Sequence, residues 1–298
     1  MTLQILDRPG PVSRDECMNQ NELLTEAHAQ EVDSGQRFQF GRNWSMFLRS
    51  LGDAQIARAE DSLKEMLNVE SLRGRSFIDI GSGSGLFSLA ARRLGARVYS
   101  FDYDPHSFAC TTELQRRYFP EDREWQVAQG SVLDKDYLES LGRFDIVYSW
   151  GVLHHTGSMW QALENVAPIV KPGGTLFIAI YNDQGKRSRR WRSVKKAYNK
   201  LPPNLRFLVL WPAFLQMWWK RLLKDAVRGR PLHSFRSYKA GRGMSLWRDV
   251  VDWVGGYPFE VAKPEQIFDF YYKRGFELTR MTTQAGDLGC NEFVFVKR

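Results

Sequence analysis

Residues 79–85, Asp-Ile-Gly-Ser-Gly-Ser-Gly, hold the densest set of chemically useful positions in this chain of 298 residues. Asp79 closes an apolar run, and Gly81, Gly83 and Gly85 alternate with serines before a helical pattern opens at Leu86. Glycines at alternate positions let the backbone turn tightly and lie against a ligand with no Cβ in the way. The helix that follows aims its unpaired amides at an anionic group. A dinucleotide fingerprint requires glycine at 86, where Leu86 stands, and a P-loop requires Gly-Lys-Ser/Thr, whereas no lysine follows. Asp102 lies 17 positions past Gly85 and suits acceptance of hydrogen bonds from both hydroxyls of a ribose. Asp104 competes for that role and is also placed to cap the helix that Pro105 begins. Further on, His154 and His155 supply a side chain able to take a proton near neutral pH. Adjacent residues point in different directions, so one can face a substrate while the other packs; alternatively, both fasten the loop.

The elements that position these groups follow from apolar runs and turn residues. Strands are expected to end at Asp79 and at Asp102, to span 124–129 ahead of Gly130, and to run from Phe144 to Ser149. Lys171-Pro172-Gly173-Gly174 reads as a turn, Thr175 to Tyr181 as a fifth strand, and Pro264 to Tyr272 as a helix. Phe276–Thr282 and Asn291–Val296 read as the final strands. Strands alternating with helices predict a doubly wound α/β fold, a mostly parallel Rossmann-like sheet of seven strands. Such sheets bind ligands beyond the carboxyl ends of their strands, where all the groups above fall. The expected organisation is an N-terminal helical cap (1–69), the first part of a cofactor-binding core (70–182), a basic helical insertion after the fifth strand (183–258) and the rest of the core (259–298). Within the cap, a helix is expected around Glu22 to Glu31, and Phe38, Phe40, Trp44 and Phe47 form an aromatic cluster too dense for a solvated loop.

The Asp-x-Gly-x-Gly-x-Gly pattern resembles motif I of the class I S-adenosylmethionine-dependent methyltransferases. That resemblance implies S-adenosyl-L-methionine as cofactor, held by Asp79, Gly81, Ser82, Gly83 and Gly85, by Asp102 with Tyr103, by Gly130, Ser131 and Val132 around the adenine, and by Trp150. Relatives of this type usually carry Asp after the glycine at 130; Ser131 stands there instead, so its hydroxyl or the backbone would meet the adenine amino group. The strip after the fourth strand is similar to the ubiquinone-pathway polyprenyl catechol O-methyltransferases, whose Glu-x-x-Glu-His pattern aligns with Gly151, His154 and His155. Only His155 is kept, so metal assistance is not expected. His154, His155 and Tyr181 are the catalytic candidates, Tyr181 either as a group that orients substrate or as a structural residue closing its strand.

Composition sets the remaining bounds. A hydrophobic content of 43% with 26% charged residues is ordinary for a globular protein. Three distant cysteines (Cys17, Cys110, Cys290) suggest neither a disulfide framework nor a zinc site. No signal peptide and no apolar run of spanning length is seen, which leads us to expect a cytoplasmic protein, with peripheral contact at the inner membrane face as an option. The net charge of +8 is unevenly spread: residues 184–242 carry 17 Lys/Arg and one acid, Asp225. Within this stretch Phe207 to Trp219 is apolar and rich in tryptophan, the composition of an interfacial helix, of a lid over the body, or of an RNA contact. The function expected is transfer of a methyl group to a small or lipophilic acceptor, most simply to oxygen with a histidine base, with peripheral membrane contact through 186–224. The rivals are an RNA methyltransferase and a catalytically silent cofactor-binding scaffold. Acceptor identity and oligomeric state are not legible.

Overall fold

The computed structural model describes residues 14–230 and 246–298. Its centre is a seven-stranded sheet in the order β3-β2-β1-β4-β5-β7-β6. β1 (Ser76–Ile80), β2 (Arg97–Asp102), β3 (Trp125–Gln129), β4 (Phe144–Trp150) and β5 (Val170–Tyr181) are parallel, while β7 (Cys290–Lys297) lies antiparallel between β5 and β6 (Phe276–Thr282). Strand order reverses between β1 and β4, which opens a crevice at their carboxyl ends. The predicted fold class is therefore the observed one.

Alternation along the strands builds two cores. Ile78, Val147 and Phe293 face one side of the sheet, where α6 (Lys135–Ser140), α7 (Met159–Val166) and α11 (Pro264–Tyr272) cover them. Their neighbours Phe77, Ile146 and Val294 face the other side, under α3 (Asp53–Leu67), α4 (Leu86–Arg93) and α5 (Pro105–Tyr118). A third core joins the N-terminal segment to the insertion. Phe38 packs there with Trp191 and Tyr198 of α8 (Lys186–Lys200), with Leu210, Phe214 and Trp218 of α9 (Phe207–Val227), and with Val250 and Val254 of α10 (Leu246–Gly255).

One expectation needs correction. The Lys171-Pro172-Gly173-Gly174 segment does not precede the fifth strand as a separate turn; it lies inside β5. The pairing jumps from Phe144↔Val170 to Ile146↔Thr175, so the extra residues are absorbed as an irregularity. Gly173 takes φ +72°, and a Cβ on Gly174 would come within 3.1 Å of the Asp145 carbonyl oxygen. The helix expected around Glu22–Glu31 is present, as part of the longer α1 (Arg14–Asp33). The end of the basic stretch, 231–242, lies outside the described residues.

Candidate functional site

The turn after β1 is shaped by close approach. Gly81 sits at φ +75°, where an added Cβ would meet the Val152 Cγ1 atom at 2.3 Å. Gly83 sits at φ +58° under the indole of Trp44 from α2 (Gly41–Leu48), with Nε1 3.1 Å from where a Cβ would stand. Both positions demand glycine for conformation and for space. Gly85, left-handed as well, is the residue from which α4 starts.

Two carboxylates flank this turn, Asp79 buried and Asp102 half-buried. Asp79 Oδ2 accepts from the Ser88 hydroxyl at 2.5 Å, and that hydroxyl is backed by Ser100, which in turn accepts from Trp125 Nε1. Burial raises the Asp79 pKa to about 7 against the lowering effect of Ser88. Asp102 ends β2 and grips the turn: Oδ2 accepts from the Gly83 amide at 2.8 Å, and Oδ1 from the Asp104 amide at 2.9 Å. Burial and then the Asp104 charge push the Asp102 pKa to about 7 as well. Each oxygen of an ionised carboxylate has a second lone pair, so two acceptor positions remain for a ligand. Asp104 does cap α5, accepting from His106 N at 2.8 Å, and its other oxygen takes the Gly41 amide at 2.8 Å. That second bond fastens α2 over the turn, a tertiary role that capping alone does not suggest.

One cavity of about 1540 Å³ runs from this turn to the insertion. Asp79, Gly81, Ser82, Gly83, Asp102, Tyr103, Gly130, Ser131, Val132, Trp150, His155 and Tyr181 all line it, whereas Gly85 and His154 do not. Ser131 Oγ accepts from the Leu133 amide at 3.2 Å, which leaves its proton to donate. Trp150 Nε1 donates to Glu292 at 2.7 Å at the rim. Tyr103 carries the Arg37 guanidinium 4.9 Å over its ring, and burial raises its phenol to about 12.

The two histidines are placed differently: His155 lines the cavity and His154 does not. His154 is wholly buried; its Nδ1 accepts from the Tyr181 amide at 3.3 Å and its Nε2 has no partner. Burial, then the nearby His155 and Lys195 charges, hold it well below its ordinary pKa. It packs 3.9 Å from the Tyr181 ring centre and fastens the strand ends, off the cavity wall that His155 lines. His155 Nδ1 lies 2.6 Å from the Pro258 carbonyl oxygen. A carbonyl only accepts, so Nδ1 carries the proton and Nε2 keeps the lone pair. Burial lowers this pKa to about 3, despite the Pro258 bond, so the ring is neutral at ordinary pH. Tyr181 is also pushed upward by burial and stays a phenol, able to donate but not to serve as a base.

Several wall residues escaped the sequence reading. Arg37 donates to the His155 carbonyl oxygen at 3.0 Å and pairs with Glu31. Asn43 donates to Asp252, which reaches the wall from α10. His28 Nε2 and Tyr148 Oη are buried on this wall with no hydrogen-bond partner. Orphaned polar atoms beside a turn that only glycine fits are what a polar, nucleoside-bearing ligand would satisfy. The cavity also exceeds the roughly 300–1,000 Å³ typical of a single small-molecule pocket, leaving room for a second reactant. Among the described residues, no three His, Cys, Asp or Glu side chains gather as a metal-ligand set.

A family model described as a methyltransferase domain matches residues 52–220. The chain belongs to the methyltransferase-domain family. S-adenosyl-L-methionine is the cofactor of that family, and the turn and its orphaned polar atoms fit it. The chain is 30% identical over 120 residues to a ubiquinone biosynthesis O-methyltransferase of Methylobacterium sp., covering 40% of this chain and 46% of that protein. It is 32% identical over 122 residues to a tRNA U34 carboxymethyltransferase of Methylococcus capsulatus, covering 41% and 36%. A ubiquinone biosynthesis O-methyltransferase of Rhodopseudomonas palustris is 24% identical over 231 residues, covering 77% and 83%. The chain thus spans less than half the length of the first two relatives.

Proposed function

We propose that this methyltransferase-family protein transfers the methyl group of S-adenosyl-L-methionine to an oxygen of a small, lipophilic acceptor, with His155 as the general base. The observation that carries the reading is the His155 Nδ1–Pro258 bond, which leaves a bare Nε2 on a ring lining the same cavity as Gly81, Gly83 and Asp102. Bound there, the cofactor supplies an electrophilic methyl on a sulfonium. The amides of the glycine turn, the Asp102 carboxylate, Tyr103 and Ser131 would hold it, with His28 and Tyr148 offering their unpartnered polar atoms. Trp191, Trp253 and Phe40 give the acceptor side apolar walls, which align the reactants and exclude water. His155 Nε2 would take the hydroxyl proton as the acceptor oxygen gains its methyl and the methyl–sulfur bond breaks, its electron pair staying on sulfur so that S-adenosylhomocysteine is released. A ring whose pKa lies near 3 is a weak base towards a free hydroxyl, but an oxygen that is becoming methylated is strongly acidic. Proton removal therefore accompanies methyl transfer rather than preceding it.

The test is methyl uptake from labelled cofactor into host extract separated into lipid, small polar and RNA pools, with His155→Gln in parallel. Label in an organic-soluble product that falls at least about a hundredfold in the variant supports the reading. Label in the RNA pool would replace it with the second reading, methylation of RNA, which the tRNA-modifying relative and the basic insertion favour.

A further inference from the structure

The insertion carries one helix with two apolar faces. One face of α9 is spent in the third core, where Leu210, Ala213, Phe214 and Trp218 are buried. The other remains outside: Leu208, Trp211, Leu215, Trp219, Leu223 and Val227 are each at least 51% exposed. Their spacing of three or four residues puts them on one stripe, about 28 Å long at 1.5 Å per residue. Single exposed apolar side chains are ordinary, but a continuous stripe of this length marks an interaction surface.

The charge around the stripe selects the partner. From residue 186 to 230 the chain has fourteen Lys/Arg and a single acid, Asp225, which is buried. Gln216, Lys220 and Lys224, four residues apart, run along one edge of the stripe, and Arg190 of α8 donates to Gln216 at 3.2 Å. That bond brings the basic face of α8 alongside. A second copy of this chain would bring two strongly positive surfaces together. RNA would satisfy the cations and stack on two tryptophans, but would leave Leu208, Leu215, Leu223 and Val227 wet. A bilayer with anionic headgroups satisfies both features at once. No described helix is long and apolar enough to cross a membrane, which is consistent with a helix lying in the interface plane.

We propose that α9 docks this protein on an anionic lipid surface, apolar stripe down, with the Lys and Arg flanks among the headgroups. Met217, Trp218, Trp219, Lys220 and Arg221 of the same helix also line the cavity. Docking therefore sets the cavity's insertion end at the membrane, where an acceptor dissolved in lipid can enter; only this last step rests on the proposed lipophilic acceptor.

The experiment is co-sedimentation of the full chain with vesicles of phosphatidylcholine alone and of phosphatidylcholine mixed with phosphatidylglycerol, at low and high salt. A parallel RNA titration and a Leu215→Glu/Leu223→Glu variant complete it. Both leucines are exposed and lie off the cavity wall, so melting temperature and cofactor affinity should match those of the parent chain. The expected result is binding to the anionic vesicles, weakened but not abolished by salt, and reduced at least about tenfold in the variant, because two charges replace buried apolar groups. Lys220→Glu/Lys224→Glu should remove the preference for anionic over neutral vesicles. Absence of vesicle binding, or equal binding by the leucine variant, overturns the proposal. So does binding abolished by high salt and matched by RNA, since that is electrostatic capture alone. Vesicle binding without methyl uptake into lipid would leave docking intact and count against the acceptor reading instead.

Discussion

Asp102→Asn separates a side chain that merely shapes the turn from one that also holds the cofactor. In the ligand-free protein the carboxyl has been pushed to about 7 by burial and by Asp104. Ribose hydroxyls donating to it favour its ionised form. Binding below pH 7 must therefore first remove a proton, and affinity should fall by up to about tenfold per pH unit, roughly a hundredfold from about pH 7 to about pH 5. Asp79, also raised to about 7 and on the same wall, can contribute a second proton, making the slope steeper. The asparagine variant has no charge to gain, so its part of the slope disappears. At about pH 8 it should bind more weakly by about 1.5–3 kcal/mol, the range for a hydrogen bond to a charged group, or roughly ten- to a hundredfold. Stability of the free protein runs the other way. A carboxyl with a raised folded pKa stabilises fully below its unfolded value near 3.8, and that contribution is lost as pH rises through about 7. Calorimetric titration with S-adenosylmethionine and with S-adenosylhomocysteine across this range is the assay. Both carry the ribose, so both must lose affinity alike. A folded variant that keeps the parent affinity, or the parent slope with pH, refutes the assignment.

Gly83→Val should abolish cofactor binding, since φ +58° disfavours a branched residue and the Trp44 indole occupies the space; calorimetry with a melting control checks it. Asp104→Ala should cost about 1–3 kcal/mol of stability, because the Gly41 and His106 amides both lose their acceptor. It should also weaken cofactor binding by freeing α2, and unchanged denaturation midpoints would contradict that reading. His155→Gln should lower turnover by about 10²–10⁴-fold at unchanged cofactor affinity, and the parent rate should show no ionisation of this ring near neutrality; a loss below tenfold would leave it a structural part. Lys195→Met should flatten the pH dependence of stability on the alkaline side. Burial has lowered this lysine to about 7, so its contribution is present above about 10.5 and lost as pH falls towards 7, which melting curves across that range would show.

What the sequence made legible was set by local rules. Pro105 as the first residue of α5, with Asp104 before it, marked the end of β2 and hence Asp102. The spans Pro264–Tyr272 and Phe276–Thr282 likewise match the observed helix and strand. Beyond these rules the reading failed where a distant partner decides. Which histidine reaches the cavity is settled by Pro258, about a hundred residues downstream, and by packing against Tyr181. The Pro-Gly-Gly segment looked like a turn because a register jump is a property of two strands, not of one. Lys195 was not distinguished from the other basic residues of 184–242, although Trp191, Lys195 and Tyr198 stand at i, i+4 and i+7, on one helix face. That spacing was the available signal. The face it defines is buried, with Nζ donating to the Trp253 carbonyl oxygen and lying 4.3 Å from that indole.

The same burial bears on how the site is built. Phe38 sits in the insertion's core, Trp44 covers Gly83, and Arg37 holds the His155 carbonyl. Within ten residues one segment touches the cofactor turn, the proposed base and the insertion. Anything that displaces α9, including a lipid surface, acts on the packing that also holds Phe38. Coupling between docking and cofactor affinity would therefore pass through residues 37–47, and it is reciprocal: cofactor should tighten vesicle binding by the factor by which vesicles tighten cofactor. Measuring both factors on one preparation tests this. Unequal factors would mean that more than one docked state is being measured, and two factors of one would mean that the shared core is rigid enough to leave the surfaces independent.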